Sequence, residues 1–497
     1  MSELLPFDLG AWSFIWVYLL SLLIIGWVGY RARREETLKD FFLAGSGFGL
    51  IILVLTLYAT QYSGNTLFGF TGQTYRIGYA WVMSVQFMTA IVICYLLFAP
   101  HLHQLAKQKG YVTPTDYLND RFGSNALSVF ATVVMVVVLS NFLLAQLMAM
   151  GRAMQGLSAT HSDAAYSTGV VILALIMVIY GTLGGLRAVA WTDAIQGAIL
   201  ALGFGILLVL LFDQFGTLEQ ATERILAGSK ETALKAAPPD AERNREWLSY
   251  VLLVGLGGAL YPQAIQRIYA AKSAAVLRRS LAIMAFLPLT TTVIVVIAGV
   301  MAIAYLPGLE GAATDEVLTR ILGTIQTGSL LGYWLVVVMF AAVLAAMMST
   351  ADSAMLSISS MLTKDLYARH LCPGGSERQL MRIGEWFSWV VIIVLVALAV
   401  VLRDRASLVM LLDRKFDLLV QLVPAFMIGI HWRGLKAAPT LVGLVLGVAT
   451  ALVLAYGGLS FVEGGKVGGI HPGLIGLVVN GTVACGGSWL AGRLRGS

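Results

Sequence analysis

Long hydrophobic runs, separated by short polar or charged segments, recur along the whole chain. Many of them reach or approach the roughly 20 residues that a helix needs to cross a bilayer. The runs and their breaks together predict about thirteen membrane-spanning helices, and their number excludes a single membrane anchor. The predicted spans lie near residues 11–30, 46–75, 79–100, 126–151, 165–184, 190–213, 247–268, 280–306, 330–360, 384–402, 408–430, 438–456 and 470–491.

The composition indicates that the solvent of this chain is a lipid bilayer. Hydrophobic residues make up 58% of the 497 residues and charged residues only 12%, which would leave a soluble globule with too little polar surface. The formal net charge is +6, but the basic residues lie between hydrophobic runs, so they report topology and not nucleic-acid binding. We therefore expect an all-α, multi-pass membrane protein.

The positions of lysine and arginine predict the orientation of the helices. If the N-terminus lies outside, most basic residues fall on connections that lie inside. The segment from Thr217 to Glu246 argues against this orientation, because it contains several basic residues and would lie outside. The overall bias still favours an outside N-terminus and an inside C-terminus in a bacterial cytoplasmic (inner) membrane.

Two of the predicted spans are interrupted by polar or small residues near mid-membrane depth. The second span contains the polar stretch Thr60–Thr66, and the seventh contains the glycine-rich stretch Gly255–Gln263. Either stretch alone could be an ordinary kink, but together they open two successive five-helix blocks, residues 46–213 and 247–430. Because five is odd, the first helices of the blocks run in opposite directions, which is the pattern of an inverted repeat. The remaining segments are an extra helix in residues 1–45, an external loop in 214–246 and extra helices in 431–497.

The ninth span has a stripe of oxygen-bearing side chains. Ala346, Ser349, Thr350 and Ser353 share one helical face through their three- and four-residue spacing. Hydroxyls and unwound carbonyls suit a hard cation such as sodium, although serine and threonine in membrane helices also bond their own i−4 carbonyl. Two aspartates at membrane depth, Asp352 on this span and Asp193 at the start of the sixth, mark a candidate pathway, because such charges are costly there.

These motifs resemble the sodium/solute symporter family, whose members share the leucine-transporter fold. The most specific segment is Met348–Leu356, with the sequence MSTADSAML, followed by Thr363–Tyr367. The resemblance covers nearly all of the chain from Phe41 to the last helix. Supporting segments are Ala59–Gly64, Trp191–Gln196, Gln266–Arg267 and Ala270–Lys272.

The resemblance implies a principal sodium site made of three carbonyls and two hydroxyls. The matching carbonyls are those of Ala59, Tyr62 and Ala346, and the matching hydroxyls are those of Ser349 and Thr350. Members that bind a second sodium use an aspartate at the place of Asp193, with hydroxyls that here match Ser349 and Ser353. Asp352 stands where such a member places a serine, so the sequence leaves the second ion open.

The resemblance also implies where a solute binds: at the two breaks, on the helix after the first break and on the eleventh span. The matching positions are Gln61, Ser63, Asn65, Thr66, Gln86, Gly258 and Lys415. Val254 and Gly257 replace polar residues of the sugar carriers, which argues against a sugar, and the fourth span lacks the arginine expected within it for sialic acid. The pattern is nearer to the proline, pantothenate and monocarboxylate branches.

A charged cluster on the eleventh span indicates the charge of the solute. Asp413, Arg414, Lys415 and Asp417 lie together there, and a cation in a partly desolvated site favours an anionic partner. The prediction is a carboxylate-bearing solute such as a monocarboxylate, an amino acid or pantothenate. The alternative is that the two cations pair with the two aspartates and only fix a helix end.

The sequence thus predicts a secondary transporter that couples sodium entry to import of a small organic solute by alternating access. Its expected partners are sodium, the solute and the lipid bilayer, with no nucleic acid; the oligomeric state is not predicted. Proton coupling through Asp193 or Asp352 is an alternative, but a hydroxyl stripe is a poor proton relay. A transporter-like receptor would need a signalling module, which we do not expect because the chain ends just past its last helix. An enzyme is not expected, because the histidines lie near span ends without ligand spacing.

Overall fold

The computed structural model describes residues 7–32, 37–156, 163–326, 330–403 and 408–496, and these ranges contain helices but no strand. The helices of the N-terminal half are α1 (Leu9–Arg31), α2 (Leu38–Leu43), α3 (Leu50–Gln61), α4 (Phe70–Ile77), α5 (Met83–Lys109), α6 (Pro114–Phe122), α7 (Asn125–Gly156), α8 (Asp163–Phe215), α9 (Leu218–Leu226) and α10 (Lys230–Leu234). Those of the C-terminal half are α11 (Ala241–Gly258), α12 (Pro262–Ala270), α13 (Ala274–Met284), α14 (Leu287–Tyr305), α15 (Val317–Gln326), α16 (Leu330–Met361), α17 (Glu377–Val401), α18 (Leu408–Leu419), α19 (Gly429–His431), α20 (Ala437–Tyr456) and α21 (Pro472–Gly496).

The structure confirms an all-α membrane protein but not the count of thirteen spans. Within the described ranges, nine helical stretches are long and apolar enough to cross a bilayer, or ten if one bent pair counts as a span. The fifth and sixth predicted spans both lie within α8, which consists of two helices that meet without a loop at Gly185, where the backbone is not helical (φ 61°, ψ −159°). The second and eleventh are built from shorter pieces, because α3 and α18 have only 12 residues each.

Both predicted helix interruptions are present. α3 ends at Gln61, Tyr62 has an extended backbone, and a π-helical turn at Asn65–Gly69 precedes α4. α11 and α12 meet at an angle of 50°, and Pro262 begins α12. Proline lacks an N–H group and clashes with the preceding turn, so it cannot continue α11. Backbone carbonyls that a continuous helix would use are thereby freed inside the protein.

The helix α16 forms the centre of the molecule. Every residue from Met339 to Met361 is buried, and α16 packs against α8, α7, α3 and α12. The outer helices differ, because apolar side chains such as Val17 and Ile24 of α1 are exposed. Exposed apolar faces of this kind fit contact with lipid. The polar stripe predicted on the ninth span therefore lies in the interior, away from the lipid-facing surface.

Candidate functional site

The predicted sodium ligands converge where α3 ends beside α16. The Ser349 hydroxyl lies 3.0 Å from the Ala59 carbonyl oxygen and 3.2 Å from that of Ala346. The Thr350 hydroxyl lies 3.1 Å and 3.0 Å from the same two oxygens. Tyr62, the fifth predicted ligand, is the buried residue at which the backbone leaves the helix. The structure thus brings both predicted hydroxyls within hydrogen-bond distance of two predicted carbonyls, one on α3 and one on their own helix α16.

This cluster can exchange hydrogen bonds for cation contacts. Each hydroxyl has a single hydrogen but lone pairs as well, and each carbonyl oxygen has two lone pairs. A cation placed among these oxygens would take the lone pairs, while the hydroxyl hydrogens turn to other acceptors. Because all four residues are buried, the ion would lose its water shell and depend on these oxygens. The arrangement fits a monovalent hard cation.

Asp193, a residue predicted for the second sodium, forms an ion pair with Arg267. The Arg267 Nη2 atom lies 2.7 Å from Asp193 Oδ2 and donates to Ser353 Oγ at 2.5 Å. Arg267 Nε donates to the Thr56 hydroxyl at 2.7 Å, and that hydroxyl donates to Asp193. Arg267 is 1% exposed. The sequence had indicated Arg267 only as part of a resemblance, so its role as the partner of Asp193 was missed.

Asp352 adds a second buried carboxylate beside this pair. Its Oδ2 atom accepts a hydrogen bond of 2.7 Å from the Tyr180 hydroxyl of α8. The other oxygen of the neighbouring aspartate, Asp193 Oδ1, is buried without a hydrogen-bond partner in the described part of the chain. Two carboxyl groups, those of Asp193 and Asp352, and one guanidinium group, that of Arg267, therefore lie together in the interior. We call these three residues the carboxylate cluster.

A separate small cavity brings residues of the first break together with the eleventh predicted span. Four residues predicted to contact the solute line it, namely Gln61, Ser63, Thr66 and Lys415. Aromatic and aliphatic side chains that the sequence analysis did not identify form most of the remaining wall. They are Phe70, Phe87, Met88, Ile91, Phe142, Val254, Tyr261, Leu412 and Phe416.

The other residues predicted to contact the solute lie at different positions. Gly258 is the last residue of α11, and its carbonyl accepts a hydrogen bond of 3.4 Å from the Tyr95 hydroxyl. The same hydroxyl accepts a hydrogen bond of 2.8 Å from the Gln61 side chain. Gln86 is exposed and does not line the cavity. The side chain of Asn65 lies outside the described residues.

Lys415 is the member of the charged cluster that faces the cavity. It is 1% exposed, and its Nζ atom lies 3.7 Å from the ring centroid of Phe142 and 5.3 Å from that of Tyr261. Contacts of this kind let ring faces compensate part of the positive charge. The neighbouring Arg414 pairs with Asp417 at 2.9 Å. The alternative of paired charges thus describes Arg414 and Asp417, whereas Lys415 lies among aromatic rings.

A further side chain holds the first break in place. Gln146 on α7 is fully buried, and its Oε1 atom accepts a hydrogen bond of 2.8 Å from the backbone N–H of Gly64. A Cβ atom at Gly64 would lie 2.6 Å from that of Ala149, so only glycine fits the close approach of this segment to α7. Gln146 thus supplies the acceptor that the broken helix no longer provides for Gly64.

Comparisons with known proteins agree with this architecture. The model of the sodium:solute symporter family matches residues 41–447. The osmoregulated proline transporter OpuE of Bacillus subtilis (strain 168) is 25% identical over 467 residues, which cover 92% of this chain and 91% of the relative. The sodium/proline symporter of Escherichia coli (strain K12) is 24% identical, with 93% of this chain and 91% of the relative covered.

Two solved structures share the fold. The first is the substrate-bound, outward-open state of a Na⁺-coupled sialic acid symporter, with a TM-score of 0.76 and 19% identity, covering 97% of this chain and 98% of that chain. The second is Mhp1, a nucleobase-cation-symport-1 family transporter in a closed conformation with bound bromovinylhydantoin. Its TM-score is 0.54 at 12% identity, over 91% of this chain and 95% of that chain. At these identities the likeness establishes the fold alone.

Proposed function

Because the chain belongs to the sodium:solute symporter family, we propose that it couples sodium entry to import of a small carboxylate-bearing solute. Membership of this family makes it a multi-pass membrane transporter of the leucine-transporter fold and not an enzyme. The observation that carries the proposal is the convergence of Ser349 and Thr350 with the Ala59 and Ala346 carbonyls at the first helix break.

The principal sodium ion would bind the carbonyls of Ala59, Tyr62 and Ala346 and the hydroxyls of Ser349 and Thr350. These five groups lie on two different helices, so an ion bound among them would link α3 to α16. Sodium coupling follows if the solute binds the same broken helix, because each ligand then favours the backbone arrangement that the other needs. Gln61 and Ser63, which line the solute cavity, are within four residues of Ala59 along the chain.

A second sodium ion is the finer part of the proposal, and its ligands would come from Asp193, Asp352 and Ser353. Two observations support it: Asp193 Oδ1 lacks a partner among the described residues, and two carboxyl groups share one guanidinium group. A second ionised carboxylate is costly in the interior unless it has a counter-ion, and a monovalent cation would supply one. Arg267 contacts the Oδ2 atom of Asp193, so the Oδ1 atom would be the one that coordinates the ion.

The solute would bind in the cavity beside the first break. Lys415 would contact a carboxylate of the solute, and Gln61, Ser63 and Thr66 would supply neutral hydrogen-bond partners. Gly258 would contribute through the second break, to which Tyr95 connects it. A charge-assisted hydrogen bond from an ammonium group to a carboxylate is about twice as strong as a neutral one, so Lys415 would be the principal recognition residue.

The topology of the proposal is that of an inverted repeat. Residues 46–213 and 247–430 would form the two five-helix repeats, flanked by segments 1–45 and 431–497, and the first helices of both are interrupted. The intervening segment 214–246, which contains α9 and α10, would lie outside the cell together with the N-terminus. The C-terminus would lie inside the bacterial cytoplasmic membrane.

Uptake into proteoliposomes tests the proposal directly. The purified protein is reconstituted, and uptake of a panel of labelled carboxylates is measured with inward gradients of sodium, lithium or potassium at matched ionic strength. We expect accumulation with sodium and little with potassium. Accumulation driven by a proton gradient without sodium would replace the proposal by proton symport.

A further inference from the structure

We infer that the solute is a monocarboxylate with a compact apolar body and no amino group, because the cavity offers one buried cation, five aromatic rings and no acidic side chain. The inference rests on the proposed carboxylate specificity and narrows it. The proline-carrying relatives have names that would suggest a zwitterionic amino acid instead. The residues that line this cavity favour a solute without an amino group.

The first argument is the charge of the cavity. Lys415 is the one basic side chain among the described residues that line it, and none of them is acidic. An adjoining pocket shares Gln61 and adds Tyr62 and Tyr95, again without an acidic residue. A monocarboxylate would neutralise Lys415, whereas a zwitterion would leave one uncompensated positive charge in a buried site. Such a charge is costly away from water.

The nearest acidic group is already engaged. Asp413 lies two residues before Lys415, but its Oδ1 atom accepts a hydrogen bond of 2.8 Å from Tyr250. Its Oδ2 atom lies 3.9 Å from the ammonium of Lys466. The same ammonium lies nearer to Glu246, at 2.9 Å, so the two carboxylates share it. Asp413 is not among the residues that line the cavity. An ammonium group on the solute would find only neutral carbonyls and hydroxyls there.

Electrostatic repulsion between Lys415 and the ammonium group of an amino acid would weaken its binding further. The carboxylate and the amino group of an α-amino acid share one carbon, so a carboxylate in contact with Lys415 holds the ammonium within a few ångströms of it. At an effective dielectric constant of about 20, repulsion at roughly 5 Å corresponds to on the order of a hundredfold in affinity. Hydrogen bonds from the ammonium group to neutral acceptors would recover part of this lost affinity. We therefore expect a net preference of at least about tenfold for the amine-free acid.

The second argument is the apolar wall. Its rings come from four different helices and from Tyr261 at the second break, so aromatic side chains line the cavity from several sides. Lys415 Nζ lies 3.7 Å from the Phe142 centroid, which places the cation at the edge of this wall. A solute with its carboxylate at Lys415 would therefore bury its remaining atoms against rings. The rings are Phe70, Phe87, Phe142, Tyr261 and Phe416.

Matched pairs of solutes, differing only by the amino group, test the inference. The pairs are propionate and alanine, 3-methylbutanoate and valine, cyclopentanecarboxylate and proline, and phenylacetate and phenylglycine. Thermal stabilisation of the purified protein is measured in saturating sodium, and uptake of labelled forms is measured in proteoliposomes. We expect an amine-free acid to bind at least about tenfold more tightly than its partner in the pairs that fit the cavity.

Two variants connect the preference to the lysine. Lys415→Met keeps the length and the apolar stem but removes the charge, so it should weaken carboxylate binding by at least tenfold and reduce the preference over the amino acid. Lys109→Met, at an exposed site, is the control for loss of a positive charge. It should keep the carboxylate affinity and the preference for the amine-free acid. A folded Lys415→Met protein is recognised by an unchanged gel-filtration profile.

The outcomes separate this inference from the proposed function. If the amino acids bind as tightly as their amine-free partners, or if none of the amine-free acids binds, the inference is overturned, although sodium-coupled symport stands. If the amine-free acids are preferred but uptake does not depend on sodium, the inference stands and the proposed coupling falls. If Lys415→Met keeps the full preference, the lysine is not its cause and the inference is overturned.

Discussion

Removal of the two hydroxyls at the proposed sodium site should raise the sodium concentration needed for half-maximal uptake. Ser349→Ala and Thr350→Ala each delete one oxygen that lies 3.0–3.2 Å from the carbonyls of Ala59 and Ala346. The side chains are completely buried, so bulk water cannot readily replace the lost ligand. Loss of one buried polar partner costs about 1–3 kcal/mol, which corresponds to roughly a 5- to 150-fold higher half-saturating sodium concentration.

The assay should separate ion binding from folding. Both hydroxyls also donate hydrogen bonds to backbone carbonyls, so each variant should lose about 1 kcal/mol of stability without sodium. Sodium titrations of uptake are therefore paired with thermal unfolding at zero and saturating sodium. Ser388→Ala is the matched control, because the Ser388 hydroxyl is buried and bonds its own i−4 carbonyl at 3.1 Å on α17.

A conservative variant sharpens the test. Thr350→Ser retains the hydroxyl and removes only a methyl group, so its sodium dependence should stay close to that of the unmodified protein. Loss of sodium sensitivity in Thr350→Ala but not in Thr350→Ser would assign the effect to the oxygen. If both alanine variants keep the original sodium dependence, the hydroxyls do not bind the ion and the site assignment is refuted.

Three further predictions follow from the buried contacts. Asp193→Asn removes the carboxylate that pairs directly with the Arg267 guanidinium, so we expect a loss of about 3–5 kcal/mol in sodium-free thermal unfolding, partly restored in Asp193→Asn/Arg267→Gln; an unchanged melting temperature would contradict the pairing. Gln146→Leu removes the acceptor of the Gly64 N–H group and should cost about 1–3 kcal/mol, whereas equal stability would show that another group accepts this bond. If two sodium ions enter with one monocarboxylate, each transport cycle moves one net positive charge into the vesicle. An inside-negative potential of 100 mV is worth about 2.3 kcal/mol per charge and should raise accumulation of the solute roughly 50-fold. Accumulation that does not depend on the membrane potential would contradict the second ion.

The fold was predictable to the extent that its signals are local. The two interruptions follow from short stretches of glycine, proline and polar residues, and both are present where the sequence places them. How the fifth and sixth predicted spans join was not predictable from run length. The two helices meet without a loop at Gly185, where φ is 61° and a Cβ atom would lie 2.6 Å from the Phe41 carbonyl oxygen. That close approach depends on a residue far away in the sequence.

The site shows the same division between local and distant signals. The stripe of Ala346, Ser349 and Thr350 follows from helical spacing within one segment. The pair of Asp193 and Arg267 joins residues 74 positions apart, and no periodicity indicates it. Gln86 illustrates a third difficulty: successive residues of a helix point about 100° apart, so a shift of one position exchanges an exposed glutamine for the cavity-lining Phe87.

The ionisable groups of two buried positions fit the proposed cargo. The carboxylate cluster has two carboxyl groups for one guanidinium beside the proposed sodium ligands, and the solute cavity has one amine, that of Lys415. A cation at the first and a carboxylate at the second would bring both positions close to neutrality. Because a buried charge is cheapest when it is paired, the loaded protein would have the smaller electrostatic cost of closing both positions off from water. Binding of either ion alone would leave the other position uncompensated, which gives a physical reason for the two to move together.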